Sequence, residues 1–368
     1  MNLNSKIKSV LIYLSIAYGI VSCKQKPHYA YPVKEFDPNS ISEYVVNGTK
    51  TDIIINGPIW QTVMDDSLLV VQVNEPTGLL SVYNTRNMSW MMGLCTIGRA
   101  RNEFIKPFFL LSQTYKRGEE TFITAVDKDL YVKEINLTAS IRDGFTVVSN
   151  IGDCPSFNHN NRFLFVDNDI TNLFLYKIGS DTPEDDFCGA YSVINSKTKE
   201  KKVIEAFPKP MNSDAESVSF YSSGAIYKHP ERNLFVQPLE YMDYILYFDI
   251  DADSAFAVHK NGSPTFDDIA PDGRTLLFAG GGTVTKDYLF TRHCEYHIDD
   301  NGKHIRVTNM LIFDWQGNLK KNIKLSPDVI NLTYDERTQI LYGFDMPEEG
   351  FEQTLYTFNM SDVFKTLP

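Results

Sequence analysis

Three residues in the last third of the chain have the side chains and spacing of a metal site. His293, Glu295 and His297 alternate along the chain, and alternate residues of a β-strand lie on one face of the sheet. Two imidazoles and a carboxylate can bind Zn²⁺ or another transition metal. His304 would add a ligand if residues 299–302 form a hairpin turn. The alternative interpretation is an exposed polar strand face inside an insertion.

Three aspartates at alternate positions begin like an oxygen-rich calcium loop. They are Asp249, Asp251 and Asp253, and an EF-hand would then need Gly in place of Ser254 and Glu in place of Lys260. Both requirements fail. The pattern therefore predicts a strand that ends in an acidic turn, with calcium as the alternative.

The chain lacks the sequence signatures of the common catalytic sites. Residues 280–286 are glycine-rich but do not have the G-x-x-x-x-G-K-[ST] spacing of a phosphate loop, and they are interpreted as a flexible loop. The acidic run 181–186 is typical of a solvated loop. No G-x-S-x-G, H-E-x-x-H or kinase signature occurs. We therefore predict no catalytic residue and no cofactor beyond the metal alternatives.

Composition indicates a folded protein rich in strands. Of 368 residues, 43% are hydrophobic, 22% are charged and 13% are aromatic, and aromatic residues favour strands. The formal net charge is −12, and the sequence shows no basic patch to offset it. Nucleic acid is therefore not an expected partner.

The N-terminus resembles that of a bacterial lipoprotein. Lys6 and Lys8 precede the apolar run Val10–Val21, which is too short to be a permanent membrane span. Cys23 follows at the position of a lipidated cysteine. We predict a signal peptide over residues 1–22, a lipid on Cys23, and a linker over residues 23–40. The expected location is the cell envelope, at the outer membrane.

Four further cysteines are widely and irregularly spaced, unlike a disulfide-dense scaffold or a CxxC metal site. They are Cys95, Cys154, Cys188 and Cys294. We interpret most of them as buried small hydrophobic residues, with one disulfide as the alternative.

An internal repeat predicts the fold. A polar turn followed by an apolar strand recurs six times, and each time a second apolar strand follows. The second strands are Leu79–Tyr83, Leu130–Ile135, Leu173–Ile178, Tyr244–Ile250, Met310–Trp315 and Leu355–Met360. The repeat averages about 55 residues, above the roughly 40–50 of a propeller blade, so we expect insertions near 179–216 and 280–305. The sequence predicts an all-β, six-bladed β-propeller over residues 41–368, with a pair of β-sandwiches as the alternative.

Two turns resemble those of a known family. The segment 98–104, Gly-Arg-Ala-Arg-Asn-Glu-Phe, resembles the G-x-G-P-x-E-F turn of the TolB-like six-bladed propeller lipoproteins of Gram-negative anaerobes. Ala100 and Arg101 stand where the family usually has Gly and Pro. Residues 271–274, Pro-Asp-Gly-Arg, resemble the S-P-D-G-K turn of TolB and related propellers. The resemblance implies a propeller in the cell envelope, and it implies no catalytic activity.

These observations favour a non-catalytic propeller that is anchored by lipid and binds a protein, peptide or glycan in the envelope. The two insertions would then carry specificity, because long loops on a rigid scaffold often do. The alternative function is a hydrolase or lyase that degrades a polymer, with acid and base residues converging on the propeller channel.

Overall fold

The structure is a computed structural model of the whole chain. The residues it describes are 31–57, 59, 62–65, 67–128, 131–154, 161–166, 172–177, 190–204, 224–265, 277–298, 304–345 and 352–365. Within these ranges the strands form six sheets of four or five strands each. No helix in this part of the chain reaches the length and apolar character needed to cross a bilayer.

The first three sheets come from the first half of the chain. The first contains β4 (Thr62–Asp65), β5 (Leu68–Glu75), β6 (Gly78–Asn84) and β7 (Ser89–Leu94). The second contains β8 (Phe108–Phe109), β9 (Tyr115–Arg117), β10 (Glu120–Val126), β11 (Tyr131–Asn136) and β12 (Val148–Asp153). Two short helices, η2 (Leu111–Gln113) and α1 (Leu137–Asp143), lie between its strands along the chain. The third contains β13 (Asn161–Phe165), β14 (Asn172–Lys177), β15 (Ala190–Asn195) and β16 (Lys201–Ile204).

The other three sheets combine the second half of the chain with three N-terminal strands. The fourth contains β17 (Tyr227–Lys228), β18 (Leu234–Pro238), β19 (Tyr244–Asp249), β20 (Ser254–Lys260) and β1 (Val33–Phe36). The fifth contains β21 (Phe278–Val284), β22 (Tyr288–Ile298), β23 (His304–Asp314), β24 (Leu319–Ser326) and β2 (Glu43–Asn47). The sixth contains β25 (Val329–Asp335), β26 (Ile340–Asp345), β27 (Glu352–Asn359) and β3 (Thr49–Asn56). The remaining helices are η1 (Pro38–Ser40) and α2 (Ser361–Lys365).

Apolar clusters fill the spaces between consecutive sheets. Strands such as β18 and β19 are almost entirely buried, because each of their faces packs against a neighbouring sheet. The clusters join the first and second sheets (Val70, Ile123), the second to fourth (Val132, Leu164, Phe235), the fourth and fifth (Val236, Leu311), the fifth and sixth (Ile312, Leu341), and the sixth and first (Phe344, Val71). The sheets therefore pack in a closed ring, which confirms the predicted all-β propeller fold.

The N-terminal strands hold the ring together from outside. β3 lies antiparallel on β27 and completes a sheet whose other strands come from the C-terminal end of the chain. β1 and β2 add in parallel to β20 and β24. Residues 33–40, which were expected to belong to a linker, are therefore part of the fold, because β1 and η1 lie within them.

The two stretches expected to be insertions contain strands of the sheets. β15 and β16 lie within 179–216, and β22 with most of β21 lies within 280–305. The prediction was wrong here because these strands are poor in the apolar alternation used to find the repeat. β21 reads Phe-Ala-Gly-Gly-Gly-Thr-Val and β16 reads Lys-Lys-Val-Ile. β22 and β23 have 11 residues each, which accounts for part of the extra repeat length.

Candidate functional site

Loops from neighbouring sheets meet at one end of the propeller, which we call the upper end. Antiparallel strands alternate in direction, so the connections after the second and fourth strands of a sheet lie at the same end. In the first sheet these are the turn 76–77 and the loop that follows β7. In the second sheet the corresponding turn begins at Asp127.

The loop after β7 has a backbone that closes on itself. We call residues 97–106 the recognition loop. Ile97 and Phe104 form a parallel bridge, the Gly98 N–H donates to the Phe104 carbonyl at 2.9 Å, and the Phe104 N–H donates to the Thr96 carbonyl at 3.0 Å. These bonds tie the two ends of the loop together, and residues 99–102 form its tip.

Two residues shared with the resembled motif shape the tip of the recognition loop. The Glu103 carboxylate accepts from the Ala100 N–H at 2.8 Å, and the Glu103 N–H donates to the Ala100 carbonyl at 3.0 Å. A Cβ on residue 98 would displace that carboxylate, so Gly98 leaves room for the bond between Glu103 and Ala100. Phe104 is fully buried in the core between the first two sheets. The Gly, Glu and Phe of the motif therefore act in folding the loop.

A buried ion pair fixes the recognition loop to the second sheet. Asp127 accepts from the N–H groups of Ile105 and Lys106, with shortest distances of 3.0 and 2.9 Å. Lys133 donates to Asp127 Oδ2 at 2.7 Å and to the Glu103 carbonyl at 2.6 Å. Burial of the Asp127 carboxylate opposes its ionisation, but these hydrogen bonds outweigh burial and lower its pKa. These bonds thus connect the loop backbone to the second sheet.

The recognition loop presents apolar and basic side chains to solvent beside a cleft. Ile97 and Ile105 are 66% and 42% exposed, and Arg99, Arg101 and Lys106 are exposed as well. The cleft has a volume of about 410 Å³, within the range of ligand sites. It is lined by Asn74, Glu75, Pro76, Gly78, Leu79, Thr96 and Ile97. A rigid backbone with exposed side chains is suited to recognising a partner, because little conformational entropy is lost on binding.

The residues predicted to bind a metal lie at the seam between the fourth and fifth sheets. His293 is 2% exposed, and its Nε2 lies 2.6 Å from Asp243 Oδ1. The hydroxyl of Ser263 donates to the other oxygen of Asp243. Lys260 forms an ion pair with Glu295, whose Oε1 lies 3.9 Å from His293 Nδ1. These side chains pair with one another, and the pair of His293 and Asp243 links the two sheets.

Hydrogen bonds and nearby charges keep the Asp243 carboxylate ionised. Burial alone would raise the pKa of Asp243, but hydrogen bonds from His293 and Ser263, together with the charge of Lys260, lower it. The carboxylate therefore remains ionised at neutral pH, and the cluster can act as a cross-link between the fourth and fifth sheets.

The structure places two of the three predicted metal ligands together. His293 and Glu295 are neighbours, and the backbone of His297 continues β22, but the side chains of His297 and His304 lie outside the described residues. The segment is not an exposed strand face inside an insertion, since β22 is an inner strand of its sheet. Among the described residues no group of three or more potential ligands is arranged around a metal position. The metal site stays a prediction.

The predicted acidic turn is confirmed. β19 ends at Asp249, whose Oδ1 accepts from the Ala252 N–H at 2.9 Å. Asp251 accepts from Asn233, and Asp253 pairs with Lys202. Each carboxylate therefore has a separate partner.

The glycine-rich segment is not a loop. Gly280, Gly281 and Gly282 belong to β21, and a Cβ on Gly282 would press against Tyr227 at 3.3 Å. Cys95, Cys154 and Cys294 are buried, as predicted for most cysteines, whereas Cys188, the acidic run 181–186 and the turn 271–274 lie outside the described residues.

A second cavity lies between the third and fourth sheets. Its volume is about 500 Å³. It is lined by Tyr31, Pro32, Val193, Lys202, Val203, Ile204, Phe248, Asp249, Ile250, Asp253, Ser254 and Ala255. Tyr31 and Pro32 directly precede β1, so the described part of the chain begins at this cavity.

Sequence reasoning found the motif of the recognition loop but did not find its surface. The expectation that the chain has no basic patch overlooked this loop, because Arg99, Arg101 and Lys106 are separated along the chain by other residues and Lys128 comes from the neighbouring turn. Arg99 and Arg101 within the motif were the available signal.

The solved structures that are similar to this chain include three Bacteroides proteins. One is an exported protein from Bacteroides fragilis, with 12% identity, a TM-score of 0.47, and coverage of 89% of this chain and 99% of that one. A member of the DUF4221 family from Bacteroides vulgatus has 9% identity, a TM-score of 0.47, and coverage of 86% and 96%. An auxiliary nutrient binding protein from Bacteroides thetaiotaomicron has 8% identity, a TM-score of 0.38, and coverage of 90% and 75%.

At this level of similarity the neighbours carry no argument about the function of the chain. No family model matches the sequence, and no curated protein matches it. The resemblance to TolB-like lipoproteins stays a prediction.

Proposed function

We propose that this chain is a lipid-anchored binding protein of the cell envelope, in which the upper end of a six-bladed propeller holds a protein, peptide or glycan. The six described sheets would be the six blades. Their number equals the number of repeats in the sequence, and the apolar clusters connect them in one ring.

The observation that carries the proposal is the construction of the recognition loop. Glu103, Asp127 and Lys133 hold its backbone, while Ile97 and Arg101 remain exposed. Exposed apolar side chains that lie together on a monomer surface often mark an interaction site. A loop whose backbone is held by hydrogen bonds and whose side chains are exposed can therefore serve as a pre-organised binding surface.

Envelope attachment is proposed from the sequence pattern that ends at Cys23. A charged start, a short apolar run and a cysteine occur in the order of a lipoprotein signal. Lipid on Cys23 would hold the propeller at the outer membrane through the chain that leads to Tyr31.

Two experiments test the proposal. For attachment, the full chain and a Cys23→Ser variant are expressed in a Gram-negative host and fractionated. The wild type is expected in the membrane fraction and the variant in the soluble periplasm. Equal partitioning of the two proteins would refute lipid attachment.

For binding, a photo-reactive benzoylphenylalanine replaces Arg101 in one protein and Lys199 in another, and envelopes are irradiated. Lys199 is an exposed residue in the turn between β15 and β16, so it serves as the matched control. A discrete adduct is expected from position 101 only, and it should disappear when Lys133→Met is added to loosen the loop. Equal adducts from both positions, or none from either, would refute binding by the recognition loop.

A further inference from the structure

The recognition loop forms a local positive surface on an acidic protein. Arg99, Arg101, Lys106 and Lys128 are all exposed around it, whereas the whole chain has a formal net charge of −12. Lys128 belongs to the turn that carries Asp127, so the loop and the turn form one surface. The fold thus gathers four cations at one place on the upper end.

Two acidic groups make hydrogen bonds that hold the loop. Glu103 accepts from the Ala100 N–H, and Asp127 is 5% exposed and paired with Lys133. The cleft adds one carboxylate, Glu75, which accepts from the Ser81 hydroxyl at 3.2 Å. Arg99 and Arg101 are therefore exposed on a loop whose one carboxylate, Glu103, is half-buried and bonded to the loop backbone.

Exposed aliphatic groups lie on the same surface. Ile97 and Ile105 flank the loop, and Leu79 lines the cleft. Phe104 and Phe109 are fully buried, and Tyr131, whose carbonyl accepts from the Asp127 N–H, is 47% exposed. Arginine is enriched in protein interfaces, where apolar side chains of a partner can cover exposed aliphatic groups.

We propose that the recognition loop binds an acidic, aliphatic segment of a partner protein. Arg99 and Arg101 would each pair with a carboxylate through the planar guanidinium, and Ile97 and Ile105 would cover aliphatic side chains of the segment. This inference rests on the proposed binding function and specifies the chemistry of the partner.

The test uses the full-length protein in detergent and a fluorescent peptide of about 12 residues that alternates Glu, Ile and Ser, a length suited to one groove or loop. Fluorescence anisotropy measures its affinity. A matched peptide with Gln in place of Glu reports the contribution of charge, and polygalacturonate serves as an acidic glycan. The Glu peptide is expected to bind at least about tenfold more tightly than the Gln peptide, and its affinity should fall as salt rises.

A pair of double variants tests the location of binding. R99A/R101A removes two positive charges from the recognition loop, and K197A/K199A removes two from the exposed turn between β15 and β16. The first is expected to weaken binding of the Glu peptide by at least about tenfold, and the second to leave it unchanged. Equal losses in both variants would show charge attraction without a site, which would overturn the inference.

Further outcomes separate this inference from the proposed function. If polygalacturonate binds at the loop and the Glu peptide does not, the partner chemistry is wrong and the binding function stands. If neither probe binds while position 101 still gives a discrete photo-adduct, the inference is again overturned and the binding function again stands. If I97S lowers the affinity for the Glu peptide as R99A/R101A does, the aliphatic part of the proposal is supported. An unchanged affinity in I97S would overturn that part.

Discussion

Removal of the buried ammonium of Lys133 is expected to destabilise the fold and loosen the recognition loop. Lys133→Met keeps most of the apolar stem of the side chain and removes the charged ammonium with its hydrogen-bond donors. The variant loses the 2.7 Å bond to Asp127 and the 2.6 Å bond to the Glu103 carbonyl, and leaves the Asp127 carboxylate buried without its counter-charge.

The size of the effect follows from these contacts. Breaking one side of a buried ion pair costs about 3–5 kcal/mol. Asp127 retains hydrogen bonds from the N–H groups of Ile105, Lys106 and Lys128, which stabilise its negative charge. We therefore expect the lower end of the range, a loss of about 3 kcal/mol in the free energy of unfolding.

Urea unfolding followed by circular dichroism measures this loss. Lys199→Met is the control, since a substitution at an exposed position should change stability by less than about 0.5 kcal/mol. Adding Asp127→Asn to Lys133→Met removes the uncompensated charge and is expected to restore most of the stability. A loss below about 1 kcal/mol in Lys133→Met, or simple additivity in the double variant, would refute the reasoning.

Three further predictions concern the paired side chains of His293 and Asp243 between the fourth and fifth sheets, and the tip of the recognition loop. His293→Ala leaves Asp243 with only its remaining donors, and urea unfolding should show a loss of about 3 kcal/mol; a neutral effect would mean that the cluster does not cross-link the sheets. The lowered pKa of Asp243 means that the stability it contributes is complete above the unfolded-state pKa of about 3.9 and is lost as pH falls through the lower folded-state value. The unfolding midpoint should therefore drop more steeply below about pH 4 in the wild type than in Asp243→Asn, and parallel curves would contradict this. Gly98→Ala should displace Glu103 and speed hydrogen exchange at the Ala100 N–H, and unchanged exchange would show that the position tolerates a side chain.

The sequence by itself determined the repeat, the strand type and the local shape of the recognition loop. Alternating and continuous apolar runs specify strands because side chains alternate across a pleated strand, and this signal is local. The bond between Glu103 and Ala100, and the space that Gly98 leaves for it, likewise arise within a few residues. The apolar pattern did not predict β16 and β21. Lysines or glycines occupy these strands, and hydrogen bonds to neighbouring strands hold them in the sheet.

Only the tertiary structure decided which side chains share a site. Asp127 meets Ile105 across 22 positions and His293 meets Asp243 across 50, and nothing in the local pattern of either segment indicates the other. Packing of the second sheet against the recognition loop brings Lys128 to the same surface as Arg99 and Arg101, while Asp127 is buried beneath it. Side-chain type is a local property, and the loop is basic by its own sequence, but burial and pairing depend on how the sheets pack.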